Sequence, residues 1–193
     1  MIEVLWHGRG GQGAFTGARL LGAAYCQREG HHALAFPTFG PERRGAPMRA
    51  FTKLSAEKIG DRSALETADI VVYLDETLFS ADACAAQLRD GGVAVVNSPR
   101  DFALPQVLSF DANGISSELL GRVIPNTALL GALVTLLADL SQGEAEQAIR
   151  ALMPPRLHEK NIAVLEAALE RFEPKARSAG AAGRFSAEKG GAR

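Results

Sequence analysis

The chain has 193 residues, of which 47% are hydrophobic and 22% are charged, and its formal net charge is −1. This length predicts one main domain, and the composition is that of an ordinary globular protein. A net charge near zero provides no global attraction for nucleic acid or for an anionic membrane. No apolar run approaches the roughly 18 residues needed to span a bilayer, and no export signal is recognised. We therefore expect a cytoplasmic protein that binds neither nucleic acid nor membrane.

The two cysteines, Cys26 and Cys84, lie far apart in segments with helical patterns. Neither belongs to a Cys-x-x-Cys pair, the spacing typical of zinc sites and iron–sulfur clusters. We therefore expect reduced thiols and no metal site in this chain.

Short apolar runs alternate with helical patterns over the first part of the chain. The runs that predict strands are Ile2–Trp6, Ala33–Phe36, Met48–Leu54, Ile70–Leu74, Val93–Asn97 and Pro105–Phe110. Helical spacing of apolar residues predicts helices over Gln12–Arg28 and Thr77–Arg89. Strands that alternate with helices favour an α/β fold with a mostly parallel, Rossmann-like sheet and helices on both faces.

The remainder of the chain is predicted to be helical up to a final tail. The expected helices are Ser116–Arg122, Asn126–Leu140, Gly143–Leu152 and His158–Phe172. The second of these is apolar on nearly every face, so we expect another subunit to cover part of it. From Pro174 the sequence is rich in Ala, Gly and Ser, and it carries five basic residues against one acidic residue. We therefore divide the chain into a domain over residues 1–173 and a flexible or partner-ordered tail over residues 174–193.

A glycine-rich stretch, HGRGGQG at His7–Gly13, stands between the first predicted strand and the first predicted helix. Gly8, Gly10 and Gly13 match the G-x-G-x-x-G spacing of dinucleotide-binding turns. Such a turn exposes backbone amides beside the positive end of a helix, which suits a phosphate. The acidic residue that holds the ribose in NAD sites is missing after the second predicted strand. A phosphate site, an NAD site and a tight turn without a ligand remain alternatives on the residues alone.

A second stretch, FPTFGPERRGAP at Phe36–Pro47, holds two aromatic residues, three prolines and an Arg-Arg pair. It follows the second predicted strand, so in a parallel sheet it leaves from the same edge as the glycine turn. Arg43 and Arg44 are then candidates to bind a phosphate or a carboxylate. The alternative is an exposed charge pair balanced by Glu42.

Three polar residues near these stretches have structural interpretations. His7 is expected to be a hydrogen-bonded histidine at a strand end. Asp75 follows a buried strand, and either Asp75 or Thr77 is expected to cap the next helix. Asn126 follows Pro125 and is predicted to be the N-cap of the long apolar helix, facing the ligand cleft.

The stretch HGRGGQGAFTGARLL, followed by AFPTFGPERRGAPMRAFTKLS, closely resembles the gamma subunit or gamma domain of the 2-oxoacid:ferredoxin oxidoreductases. That group includes the pyruvate, 2-oxoglutarate, 2-oxoisovalerate, indolepyruvate and phenylglyoxylate enzymes. The resemblance continues in IVVYLDETL from Ile70, in IPNTALLGALV at Ile124–Val134 and in EKNIAVLEAAL from Glu159. It covers the chain from Ile2 to Phe172.

The resemblance implies a function for a complex rather than for this chain alone. In this family the complex decarboxylates a 2-oxoacid on thiamine diphosphate, transfers the acyl group to coenzyme A, and passes electrons through iron–sulfur clusters to ferredoxin or NAD. Thiamine diphosphate and the clusters are held by the alpha, beta and delta subunits. The implied role of this chain is a gamma subunit that packs on those partners and has no catalytic residue of its own.

Residues and resemblance together predict a contact with coenzyme A, which carries a pyrophosphate and a 3′-phosphate. A glycine-rich helix N-terminus and an arginine loop on one edge are suitable receptors for these groups. The predicted contact residues are Gly8, Arg9, Gly10, Gly11, Gln12, Gly13, Arg43, Arg44 and Asn126. Two alternatives remain, a stand-alone NAD-binding dehydrogenase domain and a structural adaptor whose loops only build an interface.

Overall fold

A computed structural model describes residues 1–38 and 44–187 of the chain. Its strands are β1 (Ile2–Arg9), β2 (His32–Pro37), β3 (Pro47–Ser55), β4 (Ala68–Tyr73), β5 (Leu88–Asn97) and β6 (Val107–Phe110). Its helices are α1 (Ala14–Tyr25), α2 (Ala81–Gln87), α3 (Ala112–Leu120), α4 (Asn126–Leu136), α5 (Gln142–Leu152) and α6 (His158–Ser178). Short 3₁₀ turns lie at Glu76–Leu78 and Pro155–Leu157. The predicted α/β class is confirmed, and the predicted strands and helices are present with shifted ends, except that the predicted helix Thr77–Arg89 is divided between a 3₁₀ turn, α2 and the start of β5.

The strands form one mixed sheet in the order β2–β3–β1–β4–β5–β6. The neighbours from β1 to β6 are parallel, whereas β3 is antiparallel to both β1 and β2. The connection from β2 to β3 is too short for a crossover, so the chain returns beside β2 in the opposite direction. The predicted mostly parallel sheet is therefore confirmed, with β3 as the exception.

The helices cover the two faces of the sheet unequally. Because side chains alternate along a strand, Trp6 of β1 points to one face and Leu5 points to the other. The Trp6 face carries the larger apolar core and the helices α1, α3, α4, α5 and α6. The Leu5 face carries a smaller core, to which α2 contributes Cys84. The prediction of helices on both faces is confirmed.

α4 is the central helix of the larger layer. Every residue of this helix except Thr135 is buried. It packs against α1, α3, α5 and α6 of the same chain. The expectation that another subunit covers part of this apolar helix is therefore wrong, because neighbouring helices of the domain already cover it.

The packed part of the domain extends further toward the C-terminus than predicted. α6 continues through Pro174, and the chain then turns back so that Phe185 forms a β-bridge with Leu137. Ala187 is buried. The tail predicted from Pro174 is therefore part of the fold as far as Ala187, because its small residues allow close contact with α4 and the segment after it. The remainder of the predicted tail, residues 188–193, lies outside the described residues.

A membrane-spanning helix is not found in the described ranges 1–38 and 44–187, where no helix is both long enough and apolar enough to cross a bilayer.

Candidate functional site

The glycine turn connects β1 to α1 at the edge of the sheet where the parallel strands end. β1 extends beyond its predicted end to Arg9, and the glycines that follow lead directly into α1. Gly11 and Gly13 have φ angles of 98° and 84°. Residues with a Cβ atom adopt this left-handed conformation only at a cost. The backbone of the turn therefore requires these two glycines whether or not a ligand binds.

Asn126 lies directly against this turn. A Cβ atom placed on Gly13 would be 2.7 Å from the Nδ2 atom of Asn126. Asn126 is the first residue of α4, and the N-cap is Pro125, whose backbone is already helical. The predicted N-cap role of Asn126 is therefore wrong. Its side-chain oxygen instead accepts a hydrogen bond from the amide of Thr127 at 2.8 Å.

The segment Arg44–Ala46 lies beside the glycine turn and is hydrogen-bonded to it in both directions. The Gly10 amide donates to the Ala46 carbonyl, and the Gly45 amide donates to the Gly10 carbonyl, both at 2.9 Å. The side chain of Arg44 passes over the turn, since a Cβ atom on Gly11 would be 3.8 Å from its Cγ. The two predicted stretches therefore meet at one edge.

This meeting follows from the strand register. Arg9 at the end of β1 pairs with Pro47 at the start of β3, so the chain enters β3 beside the point where β1 ends. Arg44 is exposed at this edge. Arg43, the other predicted arginine, lies outside the described residues.

Asp75 connects the glycine turn to the end of β4. Its Oδ2 atom accepts hydrogen bonds from Arg9 Nε at 2.9 Å and from Gln12 Nε2 at 3.0 Å. Its Oδ1 atom accepts from the amide and hydroxyl of Thr77 at 3.0 Å and 2.6 Å, so Asp75 caps the 3₁₀ turn, whereas the N-cap of the following helix α2 is Ser80 and not Asp75 or Thr77 as predicted. Partial burial tends to raise the pKa of Asp75, but the donors from Thr77, Gln12 and Arg9 together hold it below its ordinary value.

Arg9 and Gln12 use their polar groups within the protein. The Arg9 guanidinium also donates to the Thr77 hydroxyl at 2.9 Å and to the Gly45 carbonyl at 3.2 Å. The Gln12 side-chain oxygen accepts from the Arg9 amide at 2.7 Å. Both residues were predicted to contact a ligand, and in the structure their side chains hold the turn in shape.

Two backbone amides of the turn take no part in these contacts. Within residues 1–38 and 44–187, the amides of Gly11 and Gly13 have no hydrogen-bond acceptor. A helix N-terminus with such amides is an anion-binding arrangement, and Arg44 adds a cation beside it. The same part of the chain holds no group of three or more His, Cys, Asp or Glu side chains placed to bind a metal ion.

His7 lies on β1 and is hydrogen-bonded within the protein, as predicted. Its ring stacks on Tyr73 with the centroids 4.7 Å apart, and its Nε2 atom is 2.9 Å from Gln87 Oε1. Because an amide oxygen only accepts, this contact is a hydrogen bond in the tautomer that carries the proton on Nε2. Burial lowers the pKa of His7, the hydrogen bond to Gln87 opposes this effect, and the charge of Arg49 lowers the pKa further.

The sequence interpretation missed two features of this edge. It did not recognise Gly45 and Ala46 as partners of the glycine turn, and it gave Asp75 only a capping role. A signal for Asp75 was present, because a residue that follows a buried parallel strand lies at the same edge as the turn after β1.

Comparison with protein families and curated relatives agrees with this architecture. Residues 3–171 match the pyruvate ferredoxin/flavodoxin oxidoreductase family. The chain is 40% identical over 175 residues to pyruvate synthase subunit PorC of Methanothermobacter thermautotrophicus, covering 90% of this chain and 97% of that protein. It is 38% identical over 180 residues to the common subunit gamma of the pyruvate/ketoisovalerate oxidoreductases of Thermococcus kodakarensis, covering 89% and 97%.

Solved structures share the fold. Pyruvate oxidoreductase subunit PORC of Thermotoga maritima matches with a TM-score of 0.75 and 34% identity, covering 88% of this chain and 95% of that chain. A 2-oxoglutarate:ferredoxin oxidoreductase from Magnetococcus marinus, solved with 2-oxoglutarate, coenzyme A and succinyl-CoA bound, matches with a TM-score of 0.68 and 20% identity. This second match covers 96% of this chain but 32% of that chain, so the same fold also exists within a longer polypeptide.

Proposed function

Because the chain belongs to the pyruvate ferredoxin/flavodoxin oxidoreductase family and is a gamma subunit of a pyruvate or 2-oxoacid ferredoxin oxidoreductase complex, we propose that its glycine turn and its arginine segment bind coenzyme A for that complex. The observation that carries the proposal is the position of Arg44 over Gly11, beside turn amides that have no acceptor among the described residues.

The chemistry of these groups fits the phosphates of coenzyme A. Backbone amides at a helix N-terminus bind phosphate through their hydrogens and through the positive end of the helix dipole. An arginine beside them supplies charge-assisted hydrogen bonds. In this proposal the phosphates are bound by Gly11, Gly13 and Arg44, together with Arg43, which lies outside the described residues. The other predicted residues at this edge support them, namely Gly8, Arg9, Gly10, Gln12 and Asn126.

Decarboxylation and electron transfer belong to the partner subunits in this proposal. Thiamine diphosphate supplies the carbanion chemistry there, and iron–sulfur clusters carry the electrons toward ferredoxin or NAD. The proposed partners are the alpha, beta and delta subunits, and this chain contributes the coenzyme A contact and part of the assembly interface. The structural relative with coenzyme A and succinyl-CoA bound supports an acyl-CoA product for complexes that contain this fold.

An NAD site fits this edge less well. In dinucleotide-binding folds a parallel strand beside β1 ends near the turn and places an acidic residue on the ribose. Here one neighbour of β1 is β3, which runs antiparallel and begins at this edge with Pro47 and Met48, and the other is the parallel β4, after which Asp75 lies at the same edge. Because β3 begins at this edge and the Asp75 carboxylate is already hydrogen-bonded to Arg9, Gln12 and Thr77, neither neighbour of β1 offers an acidic residue that is available to a ribose.

The proposal is tested by replacing both Arg43 and Arg44 with Ala in the assembled complex. The KM for coenzyme A should rise roughly ten- to a hundredfold for each charge-assisted hydrogen bond that the substitution removes, with the 2-oxoacid KM nearly unchanged. The effect should shrink as salt rises, because exposed charges are screened. Lysine at both positions should restore affinity only in part, since it lacks the bidentate fork.

The matched control is Arg150→Ala. Arg150 lies far from the candidate site in sequence, and its exposed side chain forms an ion pair at 3.1 Å with the exposed side chain of Glu159. This substitution should leave both KM values unchanged. If the double substitution instead dissociates the complex while the remaining assembled enzyme keeps a normal KM for coenzyme A, the arginine segment is an interface clamp. That result would favour the structural adaptor.

A further inference from the structure

We propose that Asp75 is the positioning residue of this site: it holds Arg9 and Gln12 so that the glycine turn and the segment Arg44–Ala46 keep a shape ready for the ligand. This inference rests on the proposed binding of coenzyme A. Asp75 is not placed in contact with the ligand, and it acts through the two side chains that it holds.

Both oxygens of Asp75 are used fully, and from different elements. One oxygen receives Arg9 and Gln12 from the glycine turn, and the other receives the amide and hydroxyl of Thr77. The Asp75 side chain is 17% exposed, so water competes little for these bonds. Asp75 lies two residues after the buried end of β4, beyond the buried Leu74, and β4 is paired in parallel with β1. The anchor therefore lies in the short connection between the buried end of β4 and the 3₁₀ turn, close to the rigid sheet.

From this anchor the contacts run to the glycine turn through Arg9 and Gln12 and to the neighbouring segment through Gly45. Arg9, held at its Nε atom by Asp75, places its terminal nitrogen 3.2 Å from the Gly45 carbonyl. Gln12, held at its Nε2 atom, places its oxygen 2.7 Å from the Arg9 amide and closes the turn. Removing the carboxylate would therefore loosen the glycine turn and the neighbouring segment together.

The same contacts distinguish the two arginines at this edge by whether their positive charge is already paired within the protein. The Arg9 guanidinium has Asp75, Thr77 and Gly45 as acceptors, so its charge is balanced and its hydrogens are directed into the protein. In the described part of the chain, Arg44 then supplies a positive charge over the glycine turn. A preformed site loses less conformational entropy when the ligand binds, so a loosened one should bind more weakly without altering the chemical step.

The test is Asp75→Asn in the assembled complex. The new amide can still accept from Thr77, but its NH₂ group then faces the donors of Arg9 and Gln12. The KM for coenzyme A should rise about tenfold, while kcat and the 2-oxoacid KM stay within about twofold. Hydrogen exchange of peptides that contain the amides of Gly10 and Gly45 should become faster. Asp75→Glu, which keeps the carboxylate, should recover part of the affinity.

Glu76→Gln is the matched control. It removes one negative charge at the adjacent position, and the Glu76 carboxylate contacts Ser98 and Arg100 instead of the glycine turn. Exchange at the turn and the KM for coenzyme A should both be unchanged in this variant.

Three contrary results have distinct meanings. If Arg44→Ala raises the KM for coenzyme A and Asp75→Asn does not, the positioning role is overturned and the proposed function stands. If neither variant changes that KM, the proposed function fails, and the inference fails with it. If Asp75→Asn accelerates exchange throughout the chain and reduces the amount of assembled complex, Asp75 has a general folding role and the inference is overturned.

Discussion

The side chain of Asn126 occupies the space beside Gly13 that a Cβ atom would need, since such an atom would lie 2.7 Å from Nδ2. Gly13 also has a φ of 84°, so its backbone favours glycine independently of this contact. The start of α4 is thereby held against the start of α1 at the candidate site. Two separate physical reasons therefore exclude a larger residue at position 13.

Gly13→Ala should lower the free energy of unfolding by about 2–4 kcal/mol. The left-handed conformation accounts for about 1–2 kcal/mol, and the close contact with Asn126 adds an overpacking cost of similar size. Urea unfolding followed by circular dichroism measures the sum. Adding Asn126→Ala should relieve the contact but not the backbone cost. Gly143→Ala is the control, because nothing lies within 4 Å of a Cβ there, and an equal loss in this variant would refute the explanation.

Lys53 is a fully buried cation, and replacing it should be costly. Its Nζ atom lies 3.5 Å from the buried carboxylate of Glu3 and 2.5 Å from Asp61. Lys53→Met should lower the free energy of unfolding by about 3 kcal/mol, because Glu3 is left buried with Arg89 as its remaining cation partner. Glu3→Gln in the same chain should recover part of this loss in thermal unfolding. Arg150→Met, which breaks an exposed ion pair, should change stability by less than about 0.5 kcal/mol.

Ser141 begins α5 with a capping box. Its hydroxyl accepts from the Glu144 amide at 3.3 Å, while the Glu144 carboxylate accepts from the Ser141 amide at 2.7 Å. Ser141→Ala should lower the free energy of unfolding by about 1 kcal/mol, measured by urea unfolding. Ser117→Ala is the same change at an exposed position inside α3, where alanine should be neutral or slightly stabilising. Equal losses in the two variants would contradict the capping role.

His7 should make stability depend on pH on the acid side of neutrality. Burial holds its folded pKa below the ordinary value of 6.5, so the unfolded chain binds the proton more readily than the folded chain. The contribution of His7 is therefore fully present above about pH 6.5 and is lost as the pH falls below it. Urea unfolding between about pH 5 and 7.5 should show this slope, and His7→Gln should flatten it. An NMR titration that places the pKa of His7 at or above 6.5 would contradict this prediction.

Apolar periodicity in the sequence predicted the strands and helices because burial imposes the pattern locally, residue by residue. The ends of elements were less predictable, since they depend on contacts from elsewhere. The predicted helix Thr77–Arg89 is divided in the structure, because Asp75 caps a 3₁₀ turn and the last residues join β5. Pro174 was taken as the end of packed structure, yet α6 continues through it, buries Ala176 and has Lys175 donating to the Ser109 carbonyl at 2.6 Å.

The sequence by itself determined the α/β class, the glycine turn after the first strand, the arginine stretch and the family to which the chain belongs. These features depend on residue types at short spacing. Only the tertiary structure decided that β3 runs antiparallel beside β1, that Asn126 fills the space over Gly13, and that Asp75 holds Arg9 and Gln12. The reason is physical: such contacts join residues distant in sequence, and their partners are selected by strand order, register and packing rather than by any local pattern.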